Sequence, residues 1–151
     1  GDVERAGISY SLHSDMPMAP ADPLFLMWCG VNRITSSGRV AGENQRISRE
    51  GALSGVTLDA AYSLRLEKER GSIEPGKLAN FTILDANPLT VEPTKIKDVG
   101  VWGTVMEGQK LQVGNADGRK ALLDPSSPEM DSSEFSIAAL EHAIRSVHAH
   151  G

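Results

Sequence analysis

The chain has 151 residues, of which 40% are hydrophobic and 23% are charged, and its formal net charge is −5 at pH 7. This composition is ordinary for a globular domain that can bury a core. The acidic balance argues against nucleic acid or an anionic membrane as the partner, and no apolar run approaches the roughly 18 residues of a spanning helix. The single cysteine, Cys29, excludes an internal disulfide, and its apolar neighbours predict a buried, inert thiol.

Residues 7–15, GISYSLHSD, alternate between apolar and polar side chains. Alternate side chains of an extended chain point to opposite faces, so this pattern predicts a strand with one apolar and one polar face. Asp15 ends the strand, and a proline-rich loop follows. The pattern fits two architectures: a surface sheet whose polar face is wet, and a barrel of parallel strands whose small polar residues face the interior.

The next element is a predicted helix over residues 23–34. Asp22 at the N-cap and Pro23 at the first helical position are a strong start signal. The helix is apolar nearly all round, so we expect it to be well buried. Residues 35–45 are small, polar and glycine-bearing, which is typical of a loop.

A pair of helices is predicted over residues 48–66. Ser48 and Thr57 are placed to cap them, and Gly55 favours a break between the two pieces. Residues at helical spacing would form one apolar stripe: Leu53, Val56, Ala60, Ala61 and Leu64.

The character of the chain changes after residue 70. The turn EPGK at 74–77 has proline and then glycine in the order that a type II turn requires. A strand is predicted over 78–85, and residues 99–113 predict two strands joined by a tight turn at Glu107-Gly108.

A polar, proline-bearing linker over 115–130 and an amphipathic helix over 131–151 complete the chain. One barrel-like strand followed by helices cannot close a (β/α)8 barrel, which takes about 250 residues. The strand therefore either pairs within a smaller α+β domain or belongs to the tail of a larger protein.

Four segments, taken together, carry a resemblance to a known family: residues 13–24, 57–64, 71–89 and 96–111. In this order they resemble the C-terminal part of the metal-dependent amidohydrolases, in particular amidohydrolase family 3, the branch of N-acyl and formamide hydrolases that includes proteins named as exoenzyme regulators. The likeness covers roughly residues 7–113. Each segment alone is moderately specific, and the combination is strongly specific.

The resemblance implies a fold of class α/β plus β. Residues 1–66 would be the end of a (β/α)8 TIM-like barrel, with 7–15 as its eighth strand and helices after it. Residues 67–114 would be part of a small composite β-sandwich, and 115–151 the linker and C-terminal helix. Asn80 stands where the family usually has aspartate, and this departure bears on structure more than on chemistry.

The larger departure is that the family's other metal-binding residues, including the His-x-His of the first barrel strand, are absent from this sequence. His148 and His150 have the spacing of a metal pair, but they follow the terminal helix, so we interpret them as a frayed helix end. His142 is expected to be solvated on that helix. The resemblance therefore implies that the remaining ligands lie outside this chain.

Asp15 is the candidate catalytic residue and the candidate metal ligand. From its place in the sequence alone, a turn cap at the end of a strand is the stronger interpretation. The resemblance implies that it touches a divalent metal, zinc, and moves a proton between the metal-activated water and the leaving nitrogen. Asp22 is tempting chemically, but its position before Pro23 makes it a helix cap.

His13 and Met16 are the candidate substrate-binding residues. His13 lies on the same face of the predicted strand as Asp15, and it could contact substrate, support Asp15, or be a hydrogen-bonded histidine inside the barrel mouth. Met16 and Met18 could line a pocket or pack within the loop. Arg33 closes the buried helix and could pair with an acid or reach the mouth.

The leading hypothesis is a C-terminal fragment of a metal-dependent amidohydrolase that hydrolyses a non-peptide C–N bond in a small amide-type substrate. The rest of the barrel would be a preceding segment or a separate chain, and this chain alone would be inactive. The alternative is a catalytically inert remnant that binds a partner or self-associates as a homo-oligomer.

We expect a cytoplasmic location, with secretion or a periplasmic location left open.

Overall fold

The computed structural model of the chain describes residues 1–112. The predicted linker and C-terminal helix over 115–151, with His142, His148 and His150, lie outside the described residues. The described part contains four α-helices, two short 3-10 turns at Glu43–Gln45 and Pro93–Asp98, and three strands. The helices are α1 Asp2–Arg5, α2 Pro23–Asn32, α3 Arg49–Val56 and α4 Leu58–Ser63, and the strands are β1 Phe81–Leu84, β2 Val101–Met106 and β3 Gln109–Gln112.

Helix α2 begins as the sequence predicts. The Asp22 side chain accepts hydrogen bonds from the backbone N–H groups of Leu24 and Phe25, at 3.0 and 3.2 Å, and Pro23 occupies the first turn. The helix ends two residues earlier than predicted, because Arg33 adopts the left-handed conformation with φ 55°. Asp22 is thus confirmed as a cap.

One hydrophobic cluster lies between the helices and the sheet. It is centred on α2 and includes residues from α3 and from the 3-10 turn before β2: Leu24, Met27, Val31, Ala52 and Ile96. Partly buried residues of the sheet region, including Leu84 and Val101, pack against it. Since α2 contacts both α3 and this 3-10 turn, the nearly all-round apolar character of its sequence is explained.

The helix pair is present, but its break lies elsewhere than predicted. Gly55 is inside α3, and the chain breaks at Thr57, with φ −128° and ψ −93°. Ser48 caps α3 by accepting from Gly51 N at 2.9 Å. Thr57 is the N-cap residue of α4, as predicted, but its side chain makes no capping bond, because its hydroxyl donates back to Leu53 O at 2.7 Å. Helix α4 ends at Ser63, short of the predicted residue 66.

The three strands form one antiparallel sheet in the order β1-β2-β3. The turn between β2 and β3 has φ 50° at Glu107 and φ 82° at Gly108, the two positive values of a type I′ hairpin. The turn at 74–77 is also confirmed, since Lys77 N donates to Glu74 O at 3.2 Å and Gly76 has φ +92°.

The predicted strand over 7–15 is not formed within residues 1–112, where no strand is assigned to it, and its place as a barrel strand stays a prediction. Its backbone makes single contacts instead of a ladder: Ile8 N donates to Val3 O at 3.1 Å and Leu12 N to Gly55 O at 2.9 Å. A strand requires a neighbouring strand to complete its hydrogen bonds, and within residues 1–112 the three strands present pair with one another. The sequence also gave no warning of the short helix α1.

Among residues 1–112, no helix has the length and apolar character needed to cross a membrane. The helices lie in the first part of the described chain and the strands in the last part. From α2 onward this order agrees with the expectation from sequence, whereas assignment of the two parts to a barrel and a sandwich stays a prediction.

Two methionines provide a matched test of the core. Met27 is 1% exposed and Met106 is 60% exposed. We expect Met27→Ala to lower the free energy of unfolding by about 2–5 kcal/mol, because it leaves a cavity, and Met106→Ala to change it by less than about 0.5 kcal/mol. Urea unfolding followed by circular dichroism measures both, and equal effects would contradict the described core.

The Asp22 cap can be tested with two substitutions of different hydrogen-bonding capacity. Asp22→Ala removes the acceptor of the two backbone N–H groups and should cost about 0.5–2 kcal/mol of unfolding free energy. Asp22→Asn keeps an acceptor oxygen, so it should retain most of that stability. Equal loss in both variants, measured by urea unfolding, would show that the carboxylate has a role other than capping.

Candidate functional site

The candidate site is the turn that follows residues 8–14. Asp15 starts this turn in the left-handed conformation, with φ 50°, and its carbonyl accepts from Met18 N at 2.8 Å. The Met16-Pro17 peptide bond is cis. Aspartate is enriched among the few residue types that adopt positive φ, so this backbone suits the residue found there. The turn presents the Asp15 side chain at the surface of residues 1–112.

His13 and Asp15 are neighbours in the structure as well as in sequence. The backbone N–H of Asp15 donates to His13 Nδ1 at 3.2 Å, and both residues are exposed. Because Nδ1 accepts this bond, the proton of the neutral imidazole lies on Nε2. In this arrangement His13 can donate a hydrogen bond from Nε2, which suits contact with a substrate oxygen better than metal ligation.

Two methionines border this pair. Met16 is 70% exposed and Met18 is 81% exposed, so their thioethers pack little against residues 1–112. A flexible apolar side chain beside a polar pair can adapt to an apolar substituent on a ligand. The role of Met16 in binding substrate stays a prediction.

A partly exposed carboxylate, Glu4, fixes the beginning of the segment that leads to the site. Glu4 accepts from the Ser48 hydroxyl at 2.5 Å, from Ser48 N at 3.1 Å and from the Tyr10 hydroxyl at 3.3 Å. Desolvation raises the pKa of Glu4, but these hydrogen bonds outweigh it and hold the pKa below its ordinary value. Desolvation and the Glu4 and Asp59 carboxylates raise the pKa of Tyr10 to about 12.

A second carboxylate holds the same segment farther along. The Ser9 hydroxyl donates to Asp59 Oδ1 at 2.6 Å, and the Ser54 hydroxyl donates to Asp59 Oδ2 at 2.5 Å. Leu12 N donates to Gly55 O at 2.9 Å. These contacts, and those of Glu4, join residues 9–12 to α3 and α4.

Sequence reasoning missed these anchoring residues. The signal that could have found them is the pair Gly51 and Gly55, one helical turn apart on α3. A Cβ at Gly51 would lie 2.5 Å from the Tyr10 hydroxyl oxygen, and one at Gly55 would lie 3.2 Å from Leu12 Cγ. A glycine inside a helix can be explained by packing when another part of the chain must approach the helix closely. Here that part is the segment that leads to the site.

Residues 1–112 contain no group of three or more His, Cys, Asp or Glu side chains that could hold a metal. Stable protein zinc sites use three or four ligands. Asp15 can offer one oxygen ligand, whereas His13 Nδ1 is already a hydrogen-bond acceptor. The described residues therefore do not make a complete metal site by themselves.

The other residues singled out in the sequence have roles in the fold and lie outside the candidate site. Arg33 Nε donates to Ala41 O at 2.7 Å, so this arginine closes the loop after α2. Asn80 Oδ1 accepts from Glu107 N at 2.6 Å and supports the hairpin turn. Cys29 is partly buried, and burial raises the pKa of its thiol, as the interpretation of an inert thiol requires.

Comparison with known proteins identifies relatives of this chain. The model of the amidohydrolase family matches residues 1–112. An N-substituted formamide deformylase of Arthrobacter pascens is 32% identical over 103 residues, which are 68% of this chain and 19% of the relative. The putative amidohydrolase YtcJ of Bacillus subtilis is 31% identical over 106 residues, 68% of this chain and 20% of the relative.

An imidazolonepropionase of Pseudomonas aeruginosa is 55% identical over 85 residues, which are 55% of this chain and 19% of that protein. The chain thus spans about a fifth of the length of these three relatives. Amidohydrolases of this family are hydrolases of amide-type bonds and are generally metal-dependent. Because the family model covers residues 1–112 of 151, the chain belongs to the amidohydrolase family.

Proposed function

We propose that this chain is the C-terminal portion of a metal-dependent amidohydrolase that hydrolyses a non-peptide C–N bond in a small N-acyl, formyl or cyclic amide. The observation that carries the proposal is the exposed carboxylate of Asp15, which begins a turn whose preceding segment is joined to α3 and α4. This turn lies inside the region matched by the family. Formamide in the name of one relative supports an amide as the substrate class.

Asp15 is proposed to move the proton of the reaction. A carboxylate beside the attacking water can accept its proton and later deliver it to the leaving nitrogen, which turns a poor amine anion into a neutral amine. A divalent metal, with zinc as our choice, would supply acidity to that water and polarise the substrate carbonyl. His13 is proposed to donate from Nε2 to a substrate oxygen, and Met16 to contact the apolar part of the substrate.

The remaining metal ligands are proposed to lie in a part of the protein that the chain does not include, either preceding it or on a separate chain. The share of each relative that is matched, 19% and 20%, supports this proposal. In such a protein, residues 7–15 would meet a neighbouring strand and complete the eighth strand of a (β/α)8 barrel. Their apolar-polar alternation suits that pairing.

A second candidate function is a binding module without catalysis. It is favoured by large apolar side chains that are exposed on residues 1–112, including Ile8, Tyr62 and Leu64. Exposed apolar side chains of this size are available to contact a partner. Co-purification from the source, followed by mass measurement, distinguishes a second, larger chain that carries the missing ligands from a homo-oligomer of this chain.

The role of Asp15 is tested in the protein that contains the whole barrel. Asp15→Asn keeps the shape but cannot accept the proton, so we expect kcat/KM for an N-substituted formamide to fall by about 10²- to 10⁴-fold. Asp98→Asn, which changes an exposed carboxylate paired with Lys97, is the matched control and should retain activity. Retained turnover in Asp15→Asn would reject the proposed role.

The isolated 151-residue chain tests whether the site is complete. Because residues 1–112 lack a set of three candidate metal ligands, we expect no turnover of N-substituted formamides by the pure chain, with or without added Zn²⁺. We also expect no tight retention of zinc after dialysis, measured by atomic absorption. Zinc-dependent turnover by the pure chain would overturn this expectation.

A further inference from the structure

A carboxylate outside the candidate site connects two helices to the segment that leads to it. Asp59, on α4, accepts from Ser9 with one oxygen at 2.6 Å and from Ser54, on α3, with the other at 2.5 Å. Ser9 stands four residues before His13, and Asp59 is partly buried. Hydrogen bonds to an ionised acceptor are stronger than neutral ones, so Asp59 is well suited to fix this segment.

The segment has little freedom where it crosses α3. Gly51 and Gly55 leave room for Tyr10 and Leu12, and Leu12 N is bound to Gly55 O at 2.9 Å. A side chain at either glycine would meet the segment. The approach is therefore close. The Leu12–Gly55 hydrogen bond sets the position of the segment along α3, and the Ser9–Asp59 hydrogen bond joins it to α4.

The turn that carries Asp15 is held between two fixed ends. Leu12 is bound to α3 on one side, and Asp22 is bound as the N-cap of α2 on the other. Residues 13–21 join these points, and in this stretch Asp15 N bonds to His13 Nδ1. Release of the Leu12 end would leave the turn anchored through Asp22.

We infer that Asp59 is a positioning residue, which acts through Ser9 to hold the turn that presents His13 and Asp15. It does not touch the substrate. The inference rests on the proposed function only for the importance of those two residues, since the hydrogen bonds themselves are independent of any reaction.

The test is ¹⁵N relaxation of the 151-residue chain, read at the amides of Leu12 and Asp15. Ser9→Ala removes the bond from the segment to Asp59, whereas Ser54→Ala removes the bond from α3 and leaves Ser9–Asp59 in place. We expect the order parameters of both amides to fall from about 0.85 to below about 0.6 in Ser9→Ala. Ser54→Ala is the matched control and should leave them unchanged.

Asp59→Ala should reproduce the effect of Ser9→Ala, and the double variant should add nothing further, because both substitutions break one link. The amide of Met27 in the core should stay rigid in every variant. Unchanged order parameters at Leu12 and Asp15 in Ser9→Ala would overturn the inference, and so would loss of order at Met27, which would indicate a general structural role. If Asp59→Ala does not fold, Ser9→Ala decides alone.

Turnover provides a second readout in the protein that contains the whole barrel. Ser9→Ala should lower kcat by about 10- to 100-fold, as displacement of a catalytic group does, while Ser54→Ala retains kcat. If the unaltered protein shows no turnover, the proposed function fails, and the order parameters still decide the role of Asp59. Unchanged kcat in Ser9→Ala, in an active protein, would overturn the positioning role.

Discussion

The burial of helix α2 is the constraint on which the rest of the described structure depends. Met27 is enclosed between α3 and the 3-10 turn at Pro93–Asp98. Polar bonds join the same helix to that turn, because Trp28 Nε1 donates to Thr94 O at 3.1 Å and Asn32 Nδ2 donates to Pro93 O at 2.9 Å. Buried apolar area supplies most of the stability of such a small unit, and the two hydrogen bonds set how the helix and the turn align.

The same helix fixes one end of the candidate site. Its N-cap, Asp22, ends the proline-rich loop, so the capping bonds fix that end of the loop. The other end depends on carboxylates that lie on α1 and α4, Glu4 and Asp59. The exposed pair of His13 and Asp15 is thus carried by a short stretch between two anchors. A site on a loop gains precision when rigid elements support both ends of that loop.

The sequence predicted local features whose causes are local. Asp22 followed by Pro23 determined the start of α2, the proline and glycine of 74–77 determined a turn, and positive φ at Gly108 fits the hairpin predicted there. In each case the signal is a conformational preference or a hydrogen bond within a few residues. The family could be recognised for the same reason, since its motifs are short runs whose order along the chain is visible without a structure.

Tertiary structure decided the features that depend on partners distant in sequence. Residues 7–15 alternate as a strand does, yet a strand exists only where another strand accepts its backbone bonds. Gly55 was interpreted as a helix break, but it lies within α3. The absence of a side chain at Gly55 leaves room there for Leu12. The sequence around Asp59 gave no indication of its hydrogen bond to Ser9, because Ser9 is 50 residues away. The sequence by itself determined where elements start and which residue types could react, whereas packing over long separations decided which groups hold Asp15 in place.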